Sequence, residues 1–571
     1  MFWKRFPHIW LLSSLVVLLL FGAFEATYGR GDYSGDAISY LDLSRAISDG
    51  HWRLAFNSLW SIGYPLLLCL THLTANLEPV CEWNSIHLLN LLILAGTYFS
   101  GLFLLDAILA CQDVDREDRS YSRFIFAAYN CIFFAIELGM NLVSRVSPDM
   151  LVVCFYLLAS GAALWMLKRA CLSDGVLLGF ALGLGFLAKA IFLPLALVQL
   201  GLLALALLIK KQRPWIVLIP AMVFMLFALP YGLALSWANG YSAAGDAGSL
   251  NYAFHVNGLQ HWANWQGGPE ELGAPLHPTR RLMAELPLFA FVAGPFPVTY
   301  SPQLNMPYWY RGYRRVFHLS SQMAALRQNR HELCHILRSN AIFPALALAA
   351  ILLLVGTRPV AMLRNVAQFW PVGITALALL FSYLLVWVEG RYLCGFLLLL
   401  ALLLLTAGAG AKPAIAPRIY AGTLAILIVG CAINLITAAL PPVRAALHGQ
   451  TRANDPQWIA GAWVRQHGFR RGEQVGAIAN ETNMRCTWAY ISGLRIVAEV
   501  ASGNHSDYND GYDVEQFWNA SPEARARALS LFQSSGAIAV FSIGKPANVA
   551  PEPGWVEIPS TNYWVYRFGT S

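Results

Sequence analysis

Charged residues are scarce in this sequence of 571 residues: Asp, Glu, Lys and Arg together make up 12% of it, whereas 57% is hydrophobic. Soluble domains carry about twice that share of charge, so the composition excludes an ordinary soluble protein and indicates a membrane protein. A basic stripe interleaved with aromatic residues is also missing, so the net charge of +7 does not indicate a nucleic-acid partner. The ten cysteines are scattered and largely within apolar runs, which fits neither a disulfide framework nor a metal-binding pattern.

Apolar runs of about 20 residues, the length that crosses a bilayer as a helix, recur along the chain. No small-residue cleavage site follows the first run, so we expect a retained helix rather than a signal peptide. The apolar run 61–76 is interrupted by Gly63, Pro65 and His72, and we interpret it as a short interfacial or re-entrant segment. The sequence predicts a mostly α, polytopic membrane helix bundle with about 11 spans, at 9–27, 84–110, 124–140, 149–167, 175–188, 190–209, 215–235, 340–357, 366–387, 391–410 and 418–440.

Basic residues in the short connections predict the orientation of these spans. With the N-terminus in the cytoplasm, every predicted cytoplasmic segment carries at least two Lys or Arg residues, as is typical of that side. The loops 28–83 and 236–339 and the chain after 440 then lie outside. We therefore expect a multi-pass protein of the plasma (inner) membrane, with a transmembrane domain at 1–440 and a soluble periplasmic or extracellular domain at 441–571.

The predicted external domain has the pattern of a small α/β fold. Asp455-Pro456 opens one helix and Ser521-Pro522 opens another, with cap residues where helices begin. A Gly-rich nucleotide loop is missing from this domain, so a packing, lid or recognition role is expected rather than chemistry. Strands are predicted at 474–478, 495–500, 537–543, 555–558 and 563–568.

One acidic residue follows the first span and has a structural explanation. Asp36, in the stretch GRGDYSGDAISYLDLSRAISDG, fits the N-cap of a helix from 37 to 48. On the surface of that helix, Asp42 and Arg45 are expected to pair. A cap does not exclude chemistry, since an acid at the mouth of a membrane cavity can serve as both cap and base.

Three further charges lie near predicted span ends and also have structural explanations. In SRVSPDML, Ser147 is the expected N-cap of a helix that holds Asp149 in its first turn. Lys189 has no carboxylate nearby in sequence and can snorkel to the interface. Arg391 can pair locally with Glu389.

The shared position of these charges favours a functional interpretation. Asp36, Asp149, Lys189 and Arg391 all fall at the outer ends of different spans in the predicted topology. Charges near the hydrocarbon usually face a cavity or a partner, because each costs about 2.5 to 3.5 kcal/mol at mid-membrane. Acids and unpaired bases at one membrane face predict a site that takes a proton from one substrate and holds an anion of another.

Several segments, in the same order, resemble a known family. They are GDAISYLDLSRAISDG followed by SIGYPLLL, then SPDML, LAKAIFLP and VEGRYLCGFLLLL, spread over residues 30 to 400. The chain resembles the GT-C type glycosyltransferases (family 39 or related), the polytopic class that includes protein O-mannosyltransferases and bacterial lipid A aminoarabinose transferases. The resemblance implies an enzyme that moves a hexose or pentose from a polyprenyl-phosphate carrier to a lipid, polysaccharide or protein acceptor outside the membrane.

The resemblance also implies roles for the charged residues. Asp36 becomes the general base for the acceptor hydroxyl, a role worth about 10² to 10⁴ in rate, and Asp149 orients the acceptor or the base. Lys189 and Arg391 bind the lipid phosphate. Members of the family often carry an acid beside the loop Asp, where Ala37 stands here, so no divalent metal or other cofactor is predicted.

Other polar and aromatic residues are candidates for substrate contact. The external stretch GSLNYAFHVNGLQHWANWQGGPEELGAPLHPTRRL is dense in Trp, Asn and His, which suit the faces and hydroxyls of sugars. Its tryptophans can instead anchor the loop at the membrane interface, and its histidines are spaced too irregularly for a metal site. The candidates are Asp32, Tyr40, Tyr392, Trp262, Trp265 and His277.

Two other classes of function remain open at this point. A lipid-linked sugar flippase or other transporter also has many spans and cavity charges, but the chain shows no pair of related halves. A non-catalytic membrane scaffold would not need Asp36. Transfer assays with a lipid-phosphate sugar separate all three classes.

The first testable prediction concerns topology. A tag at the N-terminus is expected to be protected in intact cells, and a tag after residue 441 is expected to be accessible, because the basic connections lie inside. Labelling with a membrane-impermeant reagent measures both. Labelling of the tail only after permeabilisation would overturn the predicted topology and, with it, the external site.

Overall fold

The computed structural model describes most of the chain. The described residues are 8–29, 35–74, 79–112, 119–259, 265–291, 298–355, 359–409, 416–478, 485–500 and 514–569. The helices in chain order are α1 (His8–Tyr28), α2 (Gly35–Ser48), α3 (Trp52–Ala55), α4 (Gly63–Thr74), α5 (Pro79–Cys111), α6 (Arg119–Met140), α7 (Asp149–Arg169), α8 (Leu172–Ala188), α9 (Phe192–Ile209), α10 (Leu218–Asn239), α11 (Ala247–His255), α12 (Ser301–Leu304), α13 (Met306–Trp309), α14 (Leu319–Ser339), α15 (Ile342–Val355), α16 (Pro359–Ala367), α17 (Trp370–Val386), α18 (Gly390–Ala409), α19 (Ala416–Leu447), α20 (Pro456–Gln466), α21 (Thr487–Ser492), α22 (Glu515–Trp518) and α23 (Pro522–Ser534). The strands are β1 (Arg280–Arg281), β2 (Leu288–Ala290), β3 (Gln474–Ile478), β4 (Arg495–Val500), β5 (Ala539–Ile543), β6 (Trp555–Glu557) and β7 (Tyr563–Arg567).

The membrane part is a bundle of long apolar helices, as predicted. Within the described residues, eight helices are long and apolar enough to cross a membrane, and α14 with α15, bent by 75°, raises this to nine. The shorter apolar helices α8 and α17 complete the set of predicted apolar segments. The apolar run 61–76 contains α4, a helix of 12 residues, too short to span a bilayer at 1.5 Å per residue.

The C-terminal domain, which the sequence predicts to be external, is a seven-stranded sheet with helices on both faces. The strand order is β1-β2-β4-β3-β5-β7-β6, with parallel pairing only for β4-β3 and β3-β5 among the described strands. The side chains of β5 alternate between the faces: Ala539, Phe541 and Ile543 join the core that continues into the membrane part, while Val540 packs with α22 and α23. The predicted helix starts are confirmed, since Asp455 and Ser521 each accept a hydrogen bond from the first turn.

The sheet is not built from the tail alone. Strands β1 and β2 come from the long loop between α10 and α14, and β2 pairs antiparallel with β4 of the tail. These strands hold only two and three residues, too few to show an alternating pattern in sequence. The loop between α10 and α14 and the tail therefore form one structural unit.

Helix α2 begins at Gly35, slightly before the predicted start, and places Asp36 in its first turn. The prediction that Asp42 and Arg45 pair on its surface is wrong. Asp42 is buried and accepts hydrogen bonds from the backbone N and the hydroxyl of Thr299, at 2.8 and 3.1 Å, while Arg45 forms an ion pair with Glu82. Burial raises the pKa of Asp42 to about 6 despite these hydrogen bonds.

The second prediction tests the packing of α4 against the end of α8. A Cβ on Gly63 would lie 2.7 Å from the backbone C and O of Leu187, and backbone atoms cannot rotate away. Gly63→Ala is therefore expected to destabilise the protein by about 1 to 3 kcal/mol, measured as a lower melting temperature in detergent. Gly201→Ala is the control, because nothing lies within 4 Å of its added Cβ. Equal melting temperatures for the two variants would contradict this close packing.

Candidate functional site

A cavity of about 600 Å³ lies where the ends of several helices meet. Asp36 lines it from the start of α2, Asp149 from the start of α7, and Lys189 from the junction of α8 and α9. Arg391 lines it from the first turn of α18. The structure thus brings together the four charged residues that the sequence placed at the ends of separate spans.

Both cations lie at or beside breaks between consecutive apolar helices. Lys189 is extended, with φ −159° and ψ 136°, and Pro194 lies in the first turn of the helix that follows. A proline is tolerated there because the first N–H groups of a helix have no partner within it. Trp387 is likewise extended between α17 and α18, with φ −158° and ψ 133°. At these breaks the side chains of Lys189 and Arg391 line the cavity inside the bundle.

The carboxylate of Asp149 joins both cations. Its Oδ1 lies 2.6 Å from Nζ of Lys189, and its Oδ2 lies 3.4 Å from Nη1 of Arg391. The hydroxyl of Ser147 donates a hydrogen bond to Oδ2, at 3.1 Å. The side chain of Asp149 is only 5% exposed. The expectation that Lys189 and Arg391 are unpaired is therefore wrong, because their partner comes from a helix distant in sequence.

Arg391 is held on two further sides. Its Nε donates to Oε2 of Glu389 at 2.5 Å, and Nη2 donates to the hydroxyl of Tyr392 at 3.1 Å. The other oxygen of Glu389 accepts from the indole N–H of Trp387 at 3.1 Å. Burial works against ionisation of Glu389, but Arg391 and the Trp387 hydrogen bond hold its pKa below its ordinary value. Arg391 thus forms both the local ion pair with Glu389 that the sequence suggests and the ion pair with Asp149.

Of the two predicted acids, Asp36 has the side chain that is more exposed to the cavity. Its side chain is 34% exposed, and its Oδ2 lies 4.0 Å from Nη2 of Arg391. Its Oδ1 accepts a hydrogen bond of 2.6 Å from Nε2 of Gln303. Asp149 is buried against two cations, whereas the side chain of Asp36 is partly exposed to the cavity, so Asp36 is the better placed to accept a proton.

Aromatic residues form much of the remaining wall near the charges. Nζ of Lys189 lies 3.9 Å from the centre of the Tyr392 ring, a cation–π contact. His255 stacks on Trp387 with ring centres 4.0 Å apart. Burial lowers the pKa of His255 to about 4, so its ring is neutral at neutral pH and offers hydrogen bonds rather than charge.

The remaining candidates for substrate contact differ in whether they line the cavity. Tyr40 and Tyr392 line the cavity. Trp265 stacks on Tyr310 at 5.6 Å and His277 on Tyr308 at 4.1 Å, and neither is among the cavity-lining residues. Asp32 and Trp262 lie outside the described residues.

Sequence reasoning missed several residues of the cavity. Gln303 carries no motif, and only the folded chain brings it to Asp36. Glu389 was visible only as a neighbour of Arg391, and His255 only as one of several irregularly spaced histidines. Among the described residues, no group of three or more His, Cys, Asp or Glu side chains is arranged to hold a metal ion.

Comparison with known structures identifies the fold. No model of a known protein family matches the chain, and no curated protein does. Over its length the chain has the mostly α, polytopic fold of a solved membrane protein, which confirms the fold class predicted from the sequence. It is similar to apo ArnT from Cupriavidus metallidurans, with a TM-score of 0.51 and 12% identity over 97% of each chain.

Two further solved structures are similar at lower scores. One is the same ArnT bound to undecaprenyl phosphate, with a TM-score of 0.49 and 12% identity over 98% of each chain. The other is the oligosaccharyltransferase AglB from Archaeoglobus fulgidus in complex with an inhibitory peptide and a dolichol-phosphate, with a TM-score of 0.48 and 11% identity over 93% of this chain and 69% of that one.

The third prediction concerns the carboxylate shared by the two cations. Asp149→Asn is expected to destabilise the protein by about 1.5 to 3 kcal/mol, because a neutral amide cannot replace the charged hydrogen bond from Lys189 and the ion pair with Arg391. Glu285→Gln is the control, since it breaks an exposed pair with Arg527 worth about 0 to 1 kcal/mol. Thermal unfolding in detergent measures both. A melting temperature of Asp149→Asn equal to that of the control would show that the buried pairs do not hold the helices together.

Proposed function

We propose that this protein is a membrane glycosyltransferase that moves a sugar from a polyprenyl-phosphate donor to an acceptor hydroxyl at the outer membrane face. The observation that carries the proposal is the arrangement around Arg391. Its guanidinium lies between the buried Asp149 and the partly exposed Asp36, at 3.4 and 4.0 Å. A candidate phosphate-binding cation and a candidate base therefore share one cavity, a short distance apart.

The cations suit the phosphate of the donor. Lys189 and Arg391 point into the cavity from two helix junctions, and Arg391 offers a planar, forked set of donors that phosphate oxygens match. Asp149 keeps both cations in place. As the bond from the anomeric carbon to the phosphate oxygen breaks, negative charge grows on the leaving phosphate, and fixed cations stabilise it more than mobile water does.

The cavity also has a wall that suits a lipid tail. Its apolar lining comes from α9 and the residue before it, with Ile191, Leu193 and Val198, and from α17, with Leu379 and Val386. Both helices are apolar along their lengths. A polyprenyl chain can lie against this wall with its phosphate at the charged end. ArnT, whose fold is similar, has been solved with undecaprenyl phosphate bound, which agrees with this class of donor.

The proposed transfer forms one bond and breaks one bond at the anomeric carbon of the sugar. The acceptor hydroxyl oxygen attacks the anomeric carbon of the sugar, and the carboxylate of Asp36 takes the hydroxyl proton. The bond between the anomeric carbon and the phosphate oxygen breaks, and polyprenyl phosphate leaves with the electron pair. Lys189 and Arg391 hold the phosphate throughout. Gln303 and Arg391 position the Asp36 carboxylate beside the reacting hydroxyl.

A nucleotide sugar fits this arrangement less well. The external domain carries no Gly-rich loop for a nucleotide, and the cavity is walled largely by the apolar helices of the membrane bundle. In the predicted topology, its charged end also faces the outside, where nucleotide sugars made in the cytoplasm are not expected. The acceptor is a glycan, a lipid or a protein that presents a hydroxyl to Asp36.

The fourth prediction tests the base in a reconstituted transfer assay with polyprenyl-phosphate sugars. Asp36→Asn is expected to lower turnover by about 10² to 10⁴, because an amide cannot accept the proton, while donor binding is retained. Asp49→Asn, near the other end of α2, is the matched control and is expected to keep wild-type turnover.

Two outcomes would contradict the proposal. Wild-type protein that moves the lipid-linked sugar across vesicles without transferring it would show a flippase. Wild-type turnover by Asp36→Asn would remove Asp36 as the base, leaving Glu389 as the other partly exposed carboxylate of the cavity.

A further inference from the structure

A short segment, residues 299–304, lies between the external sheet and the start of α2. It includes α12 and is bound to β4 of the external domain at two adjacent residues. The backbone N–H of Ile496 donates to the carbonyl of Thr299 at 3.0 Å. The hydroxyl of Tyr300 lies 2.9 Å from each carboxylate oxygen of Glu499. One end of the segment is therefore fixed to the domain that carries no proposed reacting group.

The same segment is bound to α2 at two points. Asp42 accepts from the backbone N and the hydroxyl of Thr299, and Asp36 accepts from the side chain of Gln303 at 2.6 Å. Residues 36 and 42 are separated by about 9 Å along a helix. Two attachments at that spacing fix both the position and the direction of the segment relative to α2.

Burial makes these hydrogen bonds hard to replace. Thr299, Tyr300, Gln303 and Glu499 are all buried. A buried polar group that loses its hydrogen-bond partner cannot replace it with water. The neighbouring side chains are therefore expected to shift when one of these hydrogen bonds is lost. Movement of Tyr300 is therefore expected to displace Gln303, three residues further on in the same short segment.

We propose that the external domain positions the carboxylate of Asp36 through this segment, with Tyr300, Glu499 and Gln303 as positioning residues. The inference rests on the proposed function of Asp36 as the base and assigns the external domain a role in the chemical step. Gln303 sets the direction of the Asp36 oxygens, and β4 sets the place of Gln303. The domain thus acts on turnover without touching the reacting atoms.

The test is a double-mutant cycle in the reconstituted transfer assay. Gln303→Leu is expected to lower kcat about tenfold, and Tyr300→Phe about three- to tenfold, with the donor KM nearly unchanged. The double variant is expected to be no slower than Gln303→Leu alone, because the effect of Tyr300 passes through Gln303. Glu499→Gln is expected to retain most of kcat, since its amide oxygen still accepts from Tyr300, whereas Glu499→Leu is expected to match Tyr300→Phe.

Tyr313→Phe is the matched control, because it also removes one hydroxyl of the external loop, bonded to Asn257 rather than to β4. It is expected to keep wild-type kcat, and melting temperatures establish that all variants are folded. Additive losses in the double variant, or equal kcat for Tyr300→Phe and Tyr313→Phe, would overturn the inference alone. Absence of transfer by the wild type would instead overturn the proposed function and this inference together.

Discussion

The carboxylate of Asp149, between Lys189 and Arg391, holds the site together. Each cation lies at or beside a break in an apolar bundle, where an unpaired charge is costly, and one buried acid at the start of α7 pairs with both, while Glu389 also pairs with Arg391. The pairings join the α8–α9 junction and the start of α18 to the first turn of α7. The side chain of Asp36 is more exposed to the cavity than that of Asp149, and the proposed mechanism gives the two carboxylates different tasks.

The C-terminal domain contacts α2, as the membrane helices also do. Arg45 of α2 pairs with Glu82 at 3.1 Å, and the hydroxyl of Tyr490 from α21 donates to the same carboxylate at 2.6 Å. The 299–304 segment makes a second connection between α2 and this domain, through β4. Strands β1 and β2 extend the sheet with residues of the long loop. The helix that carries Asp36 is thus enclosed by both parts of the protein.

Features with a local physical cause could be predicted from the sequence. Apolar runs of bilayer length gave the spans, alternating residues and cap signals gave the strands and helices of the tail, and the ordered motifs indicated the fold class. The pairing of charges could not be predicted, since it depends on tertiary structure: Lys189 meets Asp149 across 40 residues and Gln303 meets Asp36 across 267. For the same reason, local spacing suggested an Asp42–Arg45 pair, whereas the folded chain gives each residue a distant partner.

Binding of a polyprenyl phosphate to the purified protein tests the central claim most directly, because it depends on the cations and not on the identity of the acceptor. Affinity is measured in lipid nanodiscs for the wild type, Arg391→Ala and Lys189→Ala, with Arg444→Ala, near the end of α19, as the control. The proposed site predicts that both cavity variants weaken binding about tenfold or more, while the control binds like the wild type. Unchanged affinity in both cavity variants, or efficient transfer from a nucleotide sugar without any lipid carrier, would contradict it.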